Sequence, residues 1–193
     1  MHPFRHFLTI TRHRHKVMIL CFRLGIGFQG LFHDLSKYSW TEFKAGARYY
    51  QGTRSPNDRE REVKGYSSAW MHHKGRNKHH FEYWTDIDKK TNLYLPVKMP
   101  LKYVKEMFAD RLSATMVYKG KAFRNEDPWN YYTERESGLK MHPDTAELLE
   151  SWLRMLKEKG MKETLKTIKA FKEEDYGKNR SEMSDLQSDQ LRR

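Results

Sequence analysis

A chain of 193 residues has room for one domain with a real core, and the 37% hydrophobic content, with 13% aromatic, is enough to fill it. Lys and Arg outnumber Asp and Glu by 37 to 25, a formal charge of +12, so the surface attracts anions: phosphorylated metabolites, nucleotides, nucleic acid or an acidic membrane face. The single cysteine, Cys21, excludes an intramolecular disulfide, and it reads as a core thiol within the apolar run 17–22 rather than as a nucleophile. That run is too short to span a bilayer, and no secretory signal is visible, so the expected location is the cytoplasm.

In chain order, the first predicted helix runs from about Pro3 to Leu24, with Gly25 and Gly27 ending it. A short helix around 30–35 carries His33-Asp34. Ser39-Trp-Thr-Glu42 has the form of a capping box and starts a helix that ends near Gly52. After the break at Ser55-Pro56-Asn57, Asn57-x-x-Glu60 opens a helix leading to Trp70-Met-His-His73, with Gly75-Arg-Asn77 loosening the backbone beyond it. Residues 79–84 form a further helical turn and 85–99 an irregular loop. From Pro100 to Tyr118 the apolar positions recur with helical period, and another helix is expected around 126–136. His142 then caps a long amphipathic helix to Gly160, followed by a basic-faced helix through about Glu174. The expected architecture is all-α, with residues 1–175 as one helical domain and 176–193 as a polar tail.

The chemistry concentrates on His33-Asp34-Leu-Ser-Lys37. Adjacent residues on a helix differ by about 100°, so both side chains reach one point only near a helix end or a local irregularity, and a metal ion is a good reason to impose that. Three other segments offer His or carboxylate ligands: the first helix (His13 or His15), the 72–80 region (His72, His73, His79, His80) and the helix of Asp110, whose neighbours Met107, Phe108 and Leu112 are apolar. A carboxylate beside a buried stripe is costly unless paired or metal-bound. One member of each His-His pair is expected to point inward; His2 and His6 are expected to be exposed.

These residues in this order resemble the HD-domain superfamily of metal-dependent hydrolases, over roughly residues 5–120, and the whole chain looks similar to an uncharacterised bacterial and phage family near that superfamily. His33-Asp34 resembles its signature, His13-Arg-His-Lys-Val17 its first-helix pattern, and Asp110-Arg-Leu-Ser-Ala114 its late segment. The resemblance implies a helical core and His13, His33, Asp34 and Asp110 as metal ligands. His72 and His73 resemble the pair that holds a second ion in two-metal members, although Gly75-Arg-Asn-Lys-His79-His80 departs from the Gly-Tyr-Pro element of the cyclic-dinucleotide phosphodiesterases. It implies one or two divalent ions (Mn, Fe, Co, Zn or Mg), with Asp34 and Lys37 in catalysis.

The expected activity is hydrolysis of a nucleotide or other small phosphorylated substrate, with Lys37, Lys74, Arg76 and Lys78 as candidates to clamp the anion. Two alternatives are a di-iron oxygenase of the same superfamily and a basic nucleic-acid-binding protein without catalysis, whose affinity would fall steeply with salt. An HNH-type nuclease needs a strand-strand-helix setting, which the helical period before His72 opposes.

Overall fold

The computed structural model describes residues 1–135 and 141–176. Among these the fold is all-α, with eight α-helices and one small two-stranded sheet. The expected tail beyond Tyr176 lies outside the described residues. Helix α1 (Pro3–Arg23) is followed by the single-turn α2 (Gly27–Leu31), a 3-10 turn (Leu35–Tyr38), α3 (Trp40–Arg48), α4 (Pro56–Lys64) and α5 (Ser68–Lys74). Next come a 3-10 turn (Phe81–Tyr83), the hairpin β1 (Thr85–Ile87) and β2 (Tyr94–Pro96), then α6 (Leu101–Lys119), α7 (Asp127–Arg135) and α8 (Pro143–Ala170).

The core is built around α6, which packs on α1, α7 and α8. Val104, Met107, Phe108 and Leu112 are fully buried against Val17 and Cys21 of α1 and against Leu149, Trp152, Leu153 and Leu156 of α8. Phe108 meets the Trp152 ring edge-to-face at 6.1 Å, a geometry aromatic pairs prefer. Helix α2 lies so close to α1 that a Cβ on Gly30 would come within 2.5 Å of the Cys21 Cβ. Glycine at 30 therefore sets how near the His33-Asp34 segment approaches the first helix.

Several boundaries differ from expectation for physical reasons. The helix foreseen from Asn57 to His73 is two helices. Ser55, not Asn57, caps the first by accepting from the Asn57 N–H, and the chain turns at Gly65–Ser67 before α5 begins. Glu60 of α4 then holds the start of α5, accepting from Ser67 Oγ (2.7 Å), Ser68 Oγ (2.8 Å) and the Ala69 N–H (3.4 Å). Helix α3 stops at Arg48, earlier than Gly52. The loop foreseen at 85–99 contains the hairpin, whose turn is fixed by Asp88 Oδ1 accepting from Thr91 N and Thr91 Oγ1 and by Asn92 in the left-handed region. At Gly160 the expectation holds: the backbone there (φ 76°, ψ 172°) is non-helical and kinks α8 into two helical segments. His142 caps α8, its ring nitrogen accepting from the Asp144 N–H, as the sequence suggests. The six lysines of 157–172 are solvated. No helix among the described residues is long and apolar enough to cross a membrane.

Candidate metal centre

Asp34 sits in the left-handed region (φ 55°, ψ 26°) between α2 and the following 3-10 turn. This is the local irregularity that adjacent His and Asp need to face a common point. A non-glycine residue there is strained by about 1–3 kcal/mol and persists only when its surroundings impose it. The surroundings do: Arg14 of α1 donates to the carbonyls of Leu31 (2.5 Å) and His33 (3.1 Å), pinning the turn against the first helix.

Around Asp34 the side chains converge. Its Oδ2 lies 3.2 Å from His33 Nε2 and 3.6 Å from His13 Nε2, while Oδ1 lies 3.3 Å from His73 Nε2 and 3.4 Å from His79 Nε2. Asp110 Oδ1 is 2.9 Å from His13 Nε2 and 3.4 Å from His33 Nε2. Two tetrads of potential ligands result, His13/His33/Asp34/Asp110 and Asp34/His73/His79/His80, each with donor atoms within 4.8 Å of one another. Asp34 belongs to both and presents one oxygen toward each.

These atoms are buried and make no well-directed hydrogen bond: the Nε2 atoms of His13, His33, His73, His79 and His80 and both Asp34 oxygens, of which Oδ2 is ion-paired with Lys37 Nζ. A buried polar atom left unmade costs about 1–3 kcal/mol, so the five ring nitrogens and Asp34 Oδ1 together mark a place where something else supplies the partner. Nitrogen and oxygen donors so placed, with no thiolate, fit a divalent ion.

The opposite ring nitrogens are held. His33 Nδ1 donates to Glu106 Oε1 at 2.8 Å, with His79 Nδ1 3.2 Å from the same oxygen. His73 Nδ1 donates to Glu42 Oε2 at 2.8 Å and His72 Nδ1 to Glu42 Oε1 at 2.7 Å. Gln29 donates to the other Glu106 oxygen. Carboxylates on Nδ1 fix the tautomer, leaving the Nε2 lone pairs facing inward, as in carboxylate–histidine–metal arrangements.

Electrostatics follow from this crowding. Burial opposes charge on Asp34, but His33, Lys37 and His73 outweigh it and hold the carboxyl well below its usual range. Asp110 is likewise held low against its burial by His13 and His33, and Glu106 is held at about 2 by hydrogen bonds from His33 and His79. His33 is raised despite burial by Asp34, Asp110 and Glu106. His79 is lowered by burial and by His33, and His80 by burial and its two neighbouring histidines, which keeps both rings neutral. Lys37 Nζ, 2.5 Å from Asp34 Oδ2 and part-exposed, reaches the rim of the cluster.

The expected ligands His13, His33, Asp34, His73 and Asp110 are thus brought together, whereas His72 is not. One residue from His73 on α5, it turns about 100° away, bonds to Glu42 and lies in neither tetrad. His79 and His80 are both buried, where one inward member was expected, and His15 is exposed as the alternative to His13 requires. Of the expected anion clamps only Lys37 touches the cluster. Arg76 is exposed and donates to the carbonyl of His72 (3.2 Å), Lys78 is exposed over the Tyr83 ring (5.8 Å), and Lys74 is half-buried without a contact to the tetrads. His6, expected at the surface, is buried. Glu106 and Glu42 were not foreseen. Glu106 precedes Asp110 by one helical turn, a spacing that places two acids on one face; Glu42 reads as the acid of a capping box, and Ser39 does accept from its N–H (3.5 Å), but its carboxylate serves the histidines.

Residues 2–155 match a family of unknown function, DUF5662, and the chain belongs to that family. No curated protein and no solved structure matches the chain.

Proposed function

We propose that the chain is a metal-dependent phosphohydrolase of HD-domain type, acting on a nucleotide or other small phosphorylated substrate. The observation that carries this reading is the convergence of five Nε2 atoms without hydrogen bonds on a two-faced Asp34 whose Oδ1 also has none. His13, His33, Asp34 and Asp110 hold one divalent ion, and Asp34, His73, His79 and His80 hold a second. Support comes from charge as well: Asp34, Asp110, Glu106 and Glu42 all meet histidines of the cluster and are mostly buried, and among the described residues Lys37 alone offers them a lysine contact, at Asp34. A bound divalent ion lowers the pKa of a coordinated water and offsets charge on phosphoryl oxygens. Asp34 orients the reacting groups, and Lys37, part-exposed at the rim, takes a phosphoryl oxygen.

The test is hydrolysis of a nucleotide and phosphoester panel with Mn, Co, Fe or Mg, comparing the wild type with Asp34→Ala and Lys37→Ala. Turnover that needs metal and is lost in the first variant supports the proposal; turnover equal in wild type and Asp34→Ala, or none with any metal, removes it. A second reading, a di-iron oxygenase, is favoured by the placement of one Asp34 oxygen toward each tetrad. Oxygen uptake after anaerobic iron loading distinguishes it, since hydrolysis consumes no oxygen.

A further inference from the structure

Beside the metal centre, α1, the chain at 50–52 and the C-terminal end of α6 line a half-open groove of about 560 Å³ whose walls include Thr9, Arg12, His15, Lys16, Tyr50 and Lys121, with Arg12 and Lys121 exposed. Among the described residues no Asp or Glu lines it. Arg12, Lys16 and Lys121 make no ion pair among the described residues, in contrast to neighbouring Lys119, which pairs with Asp127 at 3.4 Å. Three cations gathered without counter-charge repel one another, and an anion between them relieves that repulsion.

The groove adjoins the centre. Arg12 flanks His13 on α1, and Val117, another lining residue, lies two turns beyond Asp110 on the same face of α6, about 10 Å along the axis.

We infer that this groove is an anion subsite that takes a phosphate group of a ligand that also reaches the metal centre, its lining residue Val117 lying about 10 Å along α6 from Asp110. Its role as a substrate subsite rests on the proposed hydrolase; its capacity to bind phosphate does not. The ligand class is a small molecule with two separated phosphates, one over the tetrads and one against Arg12, Lys16 and Lys121. The anion needs the guanidinium for a two-point contact and the ammonium groups as point charges.

The experiment is calorimetric titration of inorganic pyrophosphate into the metal-stripped full chain, with circular dichroism confirming that every variant is folded. The combined variant Arg12→Ala/Lys16→Ala/Lys121→Ala is expected to lose at least about tenfold in affinity, the size of one charge-assisted contact. A charge-matched control on exposed α8 positions, Lys157→Ala/Lys159→Ala/Lys166→Ala, is expected to stay within about twofold, well under one such contact. Unchanged affinity in the groove variant, or an equal loss in the α8 control, overturns the subsite. So does a selective loss of single-stranded DNA binding with pyrophosphate unaffected, which would assign the cations to nucleic acid. A failure of the metal centre is seen separately, as absence of bound metal in the wild type with pyrophosphate binding intact.

Discussion

The two sides of α6 solve opposite problems with the same helix. Toward α8 it presents Val104, Phe108 and Leu112, packed on Leu149, Trp152 and Leu156. Toward α2 and the 79–80 segment it presents Glu106 and Asp110, each bound to histidines from elsewhere in the chain. The apolar side gains from area removed from water, whereas the polar side gains only when every charge meets a partner. The contrast teaches that the core is the rigid frame and the histidine cluster is what it positions.

The largest expected effect on stability falls on the apolar side. Phe108→Ala should lower unfolding stability by about 3–5 kcal/mol in a denaturant titration, by lost burial plus a cavity. Metal bound per folded chain should be unchanged. On the polar side, Glu106→Gln should weaken metal affinity by about 10- to 100-fold, because it removes the acceptor that orients His33 and His79, while stability without metal changes less than in Phe108→Ala. A titration with a chelator-buffered ion measures it, and equal affinities would separate Glu106 from the centre.

How far this division was legible in the sequence depends on which signal carried it. Apolar residues at helical spacing marked α6, and Asp110 stood out because Met107, Phe108 and Leu112 surround it. The adjacency of His33 and Asp34 demanded an irregular backbone, and the left-handed Asp34 supplies it. Periodicity says nothing, however, about which way a histidine turns outside a regular helix, so His79 and His80 could not be ranked; the resemblance to two-metal proteins drew His72 inward with His73, although the two are successive residues of α5. Glu42 and Glu106 were hidden for another reason: their histidine partners are 27 or more residues away, and acids on helices are ordinarily solvated. The hairpin was missed because its strands are three residues each and mostly exposed, leaving no buried alternation to detect.

A subtler effect comes from His6, buried beside Phe43 with its pKa pushed down to about 4 by burial and by Lys37. The unfolded chain binds this proton near pH 6.5, the folded one only near 4, so its contribution is complete above 6.5 and declines as pH falls toward 4. Thermal unfolding of metal-free protein across that window should show a shallower pH slope in His6→Phe than in wild type; identical slopes would contradict the buried neutral ring. The smallest effect is on the solvated face of α8, where Lys166→Ala should change stability by no more than about 0.5 kcal/mol.

The metal-to-chain ratio of purified protein, read by elemental analysis with Asp34→Ala alongside, tests the central claim most directly. One or two equivalents of a divalent ion in the wild type, falling close to zero in a folded variant, is the predicted result. A wild type that binds no divalent ion when one is offered in excess, or a variant that binds as much as the wild type, would contradict it.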